Sequence, residues 1–225
     1  MKIQINAPVS EYREITNSSG AISETEIVHV GDIGTDRDTE GEYSALFAIN
    51  LDNFLKKGIG EITSINFMIP VSRNTNGYNG CYAKIEYIGS DYQTIEPQWQ
   101  VNGVEATSFY LIESTSSSTP KENFFEISKV NGDKDIETLK NFENLIRNAQ
   151  EGVYYYFRIQ KHAGEKIKNN TGVEIEETIT LTITFEETNM YIYDGSNWNL
   201  VIPYIYQDQN WKQTIPYFYN NNQWN

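Results

Sequence analysis

The clearest periodicity in the chain is "ETITLTITFEE", where Ile179, Leu181, Ile183 and Phe185 alternate with Thr178, Thr180, Thr182 and Thr184. A strict period of two is that of a strand with one face on a core and the other in water. The run "YSALFAINL", residues 43–51, is apolar at nearly every position and predicts a strand buried on both faces. In "EITSINFMIPV", Ile62, Ser64, Asn66 and Met68 oppose Thr63, Ile65, Phe67 and Ile69, which predicts one mostly apolar face. "CYAKIEYI", "FFEISKV" and "VYYYFRIQ" predict three more strands. Between them lie "DNFLKKGIG", "SRNTNGYNG", "STSSSTPKEN", "VNGDKD" and "KIKNNTG". Their Asn, Gly, Ser and Pro supply positive φ angles or pre-set turns.

One segment breaks the two-residue rhythm. From 136 to 149, Ile136, Leu139, Phe142, Leu145, Ile146 and Ala149 recur at helical spacing. Asp133 or Asp135 is placed to cap the start, and Gly152 follows the end. Many strands, spaced turns and one helix predict an all-β fold, a jelly-roll-like β-sandwich with one amphipathic helix across one end. It is expected over residues 21–188, with residues 1–20 as an N-terminal arm or added edge strand and residues 189–225 as a distinct tail.

The tail repeats a thirteen-residue phrase: "YIYDGSNWNLVIP", "YIYQDQNWKQTIP", "YFYNNNQWN". Within each copy two tyrosines stand two apart and so share a strand face: Tyr191 with Tyr193, Tyr204 with Tyr206, Tyr217 with Tyr219. A polar turn follows, and Trp198, Trp211 and Trp224 return on the next strand. The phrase predicts short β-hairpins, with Pro203 and Pro216 setting the exit from one copy into the next. A lone hairpin is marginal, whereas stacked hairpins can share an aromatic core. The stop after Trp224 reads as the completion of the array. These nine aromatics are the candidate binding residues. They could form the core of the repeat, dock on the body or a sibling subunit, or stack on sugar rings.

Charge and composition narrow the partners. The formal net charge is −14, with no Lys/Arg cluster, which argues against nucleic acid. The single cysteine, Cys81, leaves no intramolecular disulfide and points to a reducing compartment of folding. "MKIQINAPVSEYREI" lacks the apolar core of a signal peptide, and no run of about 18 apolar residues would span a membrane. The expectation is a protein made in a cytoplasm that leaves by another route, such as lysis of a host.

Reaction chemistry is sparse. Two histidines, His29 and His162, and one cysteine give little support to a Cys–His pair or a zinc site, and no G-x-S-x-G, P-loop or H-E-x-x-H occurs. A glycosidase needs only two carboxylates, but also a deep cleft, and the expectation is that the chain is no enzyme. In "GDIGTDRDTEGEY", Asp36, Asp38 and Glu40 alternate ahead of Gly41, like the start of a calcium loop. The twelfth position is Phe47 where an EF-hand needs Glu, so the alternative is a solvated loop with Arg37 balancing the charge. A structural calcium there is the one cofactor the sequence suggests. Tyr78, Asn76 and Asn79 in one turn, and Trp99, are further contact candidates on loops.

The tail phrase resembles the C-terminal ends of virion proteins from phages of Gram-positive gut bacteria, where such arrays follow β-rich tail, baseplate or fibre modules. "GEYSALFAINLDNFLKKGIGEITSINFMIPV" and "ETITLTITFEE" resemble the opening and closing strands of jelly-roll modules in phage and bacterial surface proteins. The first resemblance covers 35 residues and the second about 165. Together they imply a structural or attachment protein of a bacteriophage virion, in a tail, baseplate or head fibre. Its partners would be sibling subunits, as a homo-oligomer such as a trimer, other virion proteins, and host-surface glycans. The alternative is a bacterial carbohydrate-binding module, against which the missing signal peptide argues.

Overall fold

The computed structural model describes residues 1–15, 18–23, 28–32, 42–55, 59–72, 80–91, 97–101, 109–112, 119–161, 172–176, 178–187, 190–201, 203–207, 210–213, 219–220 and 223–224. Along the body run β1 (Lys2–Ile15), β2 (Ser18–Ser23), β3 (Val28–Asp32), β4 (Glu42–Asn50) and α1 (Asp52–Leu55). Then come β5 (Ile59–Val71), β6 (Gly80–Gly89), β7 (Trp99–Val101), β8 (Phe109–Ile112) and β9 (Lys121–Ser128). The last part holds α2 (Asp133–Arg147), β10 (Tyr154–Lys161), β11 (Gly172–Ile175) and β12 (Thr178–Glu187). The all-β reading and the single long helix both hold. The turn "DNFLKKGIG" opens as a one-turn helix, α1.

Every strand pairing is antiparallel, in the order β2-β1-β12-β5-β11-β3-β4-β10-β6-β7, with β8 on β6 and β9 on β5. β1 makes the sheet curl into two layers. Its first half, Lys2 to Pro8, pairs with β12, and its second half, Val9 to Glu14, pairs with β4. The first residues are therefore no loose arm: among the described residues Lys2 to Pro8 pairs with β12 alone, as an edge strand beside it, while Glu11 to Arg13 lies between β2 and β4. The physical reason lies in the alternation of Ile3, Ala7 and Val9, which are all buried and turn one face of β1 to the core.

The layers meet through aromatic rings. Phe67 of β5 approaches Phe47 of β4 at 6.4 Å, and Phe47 stacks on Phe157 of β10 at 5.3 Å. Phe142 of α2 closes this cluster, stacked on Phe157 at 5.5 Å and edge-on to Phe67 at 6.3 Å. Burying each such side chain contributes roughly 1.5–3 kcal/mol. In β12 the alternation is as read, with Ile179, Leu181, Ile183 and Phe185 in the core. β4 buries both faces, Ala45, Phe47 and Ile49 on one and Ser44 and Leu46 on the other.

β5 departs from strict alternation. Ile62 is buried together with Ile65, Phe67 and Ile69, three residues before the first of them. The pairing shifts there, Ser64 opposite Thr184 but Ile62 opposite Phe185, so Thr63 is an extra residue that reverses the parity. The amide of Ile62 donates to Oε1 of Glu143 on α2 at 2.8 Å. At the helix start, Gly132 (φ 121°) holds the cap position and neither Asp133 nor Asp135 caps it. Buried Asp135 instead accepts the Ser128 amide at 2.9 Å, tying the end of β9 to α2.

Candidate binding surface of the C-terminal hairpins

The tail folds as three separate two-stranded sheets: β13 (Met190–Tyr193) with β14 (Trp198–Val201), β15 (Tyr204–Gln207) with β16 (Asn210–Gln213), and β17 (Tyr219–Asn220) with β18 (Gln223–Trp224). The register is the same in each. The second tyrosine of the phrase faces the tryptophan directly: Tyr193 with Trp198, Tyr206 with Trp211, Tyr219 with Trp224. Four polar residues between them close the hairpin, which is why the pair recurs at a fixed spacing.

In the first hairpin the turn is held by its own side chains. Asp194 Oδ1 accepts the amides of Ser196 and Asn197, both at 2.8 Å, and its Oδ2 accepts Asn199 Nδ2 at 2.8 Å. Hydrogen bonds from the Asn197 and Ser196 amides, then from Asn199, hold the Asp194 carboxyl below its ordinary value. Tyr193 Oη donates to the Gly195 carbonyl at 3.0 Å, so one ring of the pair is fixed to the turn.

The rings form matched pairs. Tyr193 and Trp198 lie 5.3 Å apart at 43°, and Tyr206 and Trp211 lie 5.3 Å apart at 57°. All stand in solvent: Trp198 and Trp211 are each 69% exposed, and Tyr191, Tyr193, Tyr204 and Tyr206 are about half-exposed. A shared aromatic core between these two hairpins is therefore not what the rings build. Tyr204 Oη reaches the Leu55 carbonyl of α1 at 3.4 Å, a contact of the second hairpin with the body. Tyr217 lies outside the described residues, and for Tyr219 and Trp224 the backbone pairing alone is described.

The remaining candidates are placed less fully. Asp36, Asp38 and Glu40 lie outside the described residues, as do Tyr78, Asn76 and Asn79. Among the described residues no group of three or more His, Cys, Asp or Glu could hold a metal ion. Trp99 packs against Tyr87 at 5.1 Å and Phe142 at 5.2 Å, so it belongs to the core's rim. No described helix is long and apolar enough to cross a membrane.

A buried polar cluster lies apart from these candidates. Glu86 of β6, 3% exposed, accepts Lys84 Nζ at 2.6 Å, Arg158 Nη2 at 2.6 Å and Gln160 Nε2 at 2.8 Å. Burial pushes its carboxyl up, but the hydrogen bonds and charges of Lys84 and Arg158 outweigh that and hold it below its ordinary value. A carboxylate so occupied is a structural anion, poorly suited to giving or taking a proton near neutrality. The signal was an Arg and a Glu inside two apolar strands, "VYYYFRIQ" and "CYAKIEYI", each at the parity opposite to the core residues. Burial pushes the Tyr87 hydroxyl up to about 12, with the neighbouring Tyr155 adding to it.

No protein-family model and no curated protein matches the chain. Among solved structures it is similar to the native structure of a family 35 carbohydrate binding module from Clostridium thermocellum. That likeness has 9% identity and a TM-score of 0.32, over 80% of this chain and 97% of that one, too distant to assign residues or a ligand.

Proposed function

We propose that this is a non-catalytic attachment protein whose β-sandwich body carries carbohydrate-binding hairpins. The observation that carries the reading is the repeated, exposed Tyr–Trp pair, Tyr193–Trp198 and Tyr206–Trp211, in one geometry on successive hairpins. Large rings left in water are an informative departure from burial. A ring face takes the C–H face of a sugar, and the Asn- and Gln-rich turns beside it offer donors and acceptors for hydroxyls. Repetition fits a polymer of like units, since linked weak sites give strong attachment.

Glycan-array binding by the full chain tests this. Trp198→Ala with Trp211→Ala is expected to abolish binding while the body unfolds as before; unchanged binding, or none by the parent chain, sinks the reading. Placement on a phage particle, as a tail, baseplate or head fibre component, rests on the resemblance of the tail phrase. Antibody labelling of purified particles would show it at the particle surface, and unlabelled particles would remove it.

A further inference from the structure

Each hairpin has a second face and two edges, and among the described residues no other strand pairs with those edges. Alternation puts Ile192, with Asn199 across from it, and Val201 on the face opposite Tyr193 and Trp198, and Ile205, with Lys212 across from it, opposite Tyr206 and Trp211. Ile192 and Ile205 occupy the same place in successive phrases, and both are half-exposed. Among the described residues each hairpin pairs only within itself, so both edges of each two-stranded sheet are open. A two-stranded hairpin bare on both faces is marginal in water, so its surroundings must supply a cover.

The edges also lack the usual guards. An exposed edge is normally blunted by charge, as in β9, which pairs only with β5 among the described residues and carries Lys121, Glu122 and Glu126. Across β13, β14, β15 and β16 there is one charged residue, Lys212. Residues 189–225 hold Asp194, Asp208 and Lys212, a net −1, leaving −13 of the chain's −14 on residues 1–188. Two bodies of this charge repel, whereas two tails meet without that cost.

We infer that the hairpin faces bearing Ile192 and Ile205, with the adjoining edges, form a self-association surface that takes the tail of a second copy of this chain. Like residues at a fixed period suit a symmetric contact, in which the same patch serves both partners. The aromatic faces then point outward, and association multiplies the sites available to a ligand. The interface is independent of what the rings bind.

Sedimentation velocity on the full chain is the test. The parent chain is expected to associate with rising concentration. Ile192→Asp with Ile205→Asp is expected to be monomeric where the parent is more than half associated, and so is Ile192→Lys with Ile205→Lys. Mixing the Asp and Lys proteins is expected to restore association, which local unfolding of the hairpins would not give. Trp198→Ala with Trp211→Ala should still associate, separating this surface from the carbohydrate reading. A parent chain that stays monomeric, an Asp variant that still associates, a mixture that stays apart, or dissociation by the Trp variant alone would each overturn the inference.

Discussion

The body and the tail of this chain are both antiparallel strands rich in aromatic residues, yet they dispose of their rings in opposite ways. In the body Phe47, Phe67, Phe142 and Phe157 are at most 1% exposed and touch one another across two layers and a helix. In the tail Tyr193, Trp198, Tyr206 and Trp211 form equally close pairs but stay in water. The local rule is the same: period two brings rings to one face, and register brings them opposite each other. What differs is the number of layers. Two sheets curled together by β1 have an inside, and a two-stranded hairpin has none. A cross-strand aromatic pair therefore signals a core only where a second layer is available to cover it.

The largest effect should come from exchanging that cover for a void. Phe157→Ala removes the ring on which both Phe47 and Phe142 stack. The expected cost is roughly 3–5 kcal/mol of body stability, read from denaturant unfolding followed by far-ultraviolet circular dichroism. In the tail, Trp198→Ala with Trp211→Ala should change that same transition by less than about 0.5 kcal/mol, because these rings are not in the body's core. Equal losses from the two variants would erase the distinction between the regions.

The next effect concerns the buried ion pair of Glu86 and Arg158. Glu86→Gln leaves Arg158 buried without a carboxylate, and the expected loss is about 3 kcal/mol, the lower end for a broken buried pair, since Lys84 and Gln160 sit at a partly open rim. The pH dependence has a definite sign. The folded-state value of Glu86 is depressed below the ordinary 4.5, so its stabilisation is in full force above that value and is lost as pH falls through the lower, folded one. The parent should therefore lose stability on acidification below about 4.5, and Glu86→Gln should lose less over the same window. Parallel pH profiles for the two proteins would show that Glu86 carries no such linkage.

Much of the body was legible because burial is periodic. β12 and β4 follow their patterns residue by residue, and α2 follows its 3.6-residue spacing. Parity failed at Thr63, where one extra residue turns Ile62 inward; alternation cannot register an insertion whose partner strand is unknown. The role of β1 was also hidden. "MKIQINAPVSEYREI" reads as an arm or an added edge strand, and only the long-range pairing shows it shared between β12 and β4. In the tail the hairpins were visible from spacing alone, since turn and strands are contiguous. The exposure of their rings was not, because it depends on what else packs nearby. Glu86 and Arg158 lie 72 residues apart, and their meeting is likewise a property of sheet order.

The smallest effect probes the tail's mount. Gly195 has φ +99° and nothing within 4 Å of where a Cβ would stand, so Gly195→Ala meets backbone strain and no steric obstacle. The expected cost is about 1 kcal/mol, confined to the first hairpin. The Trp198 indole resonance should lose its folded shift at lower temperature, with the body's transition unmoved. The phrase itself supplies the control: the same place is taken by Asp208 in the second copy and Asn221 in the third, two residue types that tolerate positive φ. Gly195→Asn should therefore cost less than Gly195→Ala. If the two cost the same, the turn's handedness is not what keeps Tyr193 facing Trp198, and the hydrogen bonds of Asp194 alone hold the pair.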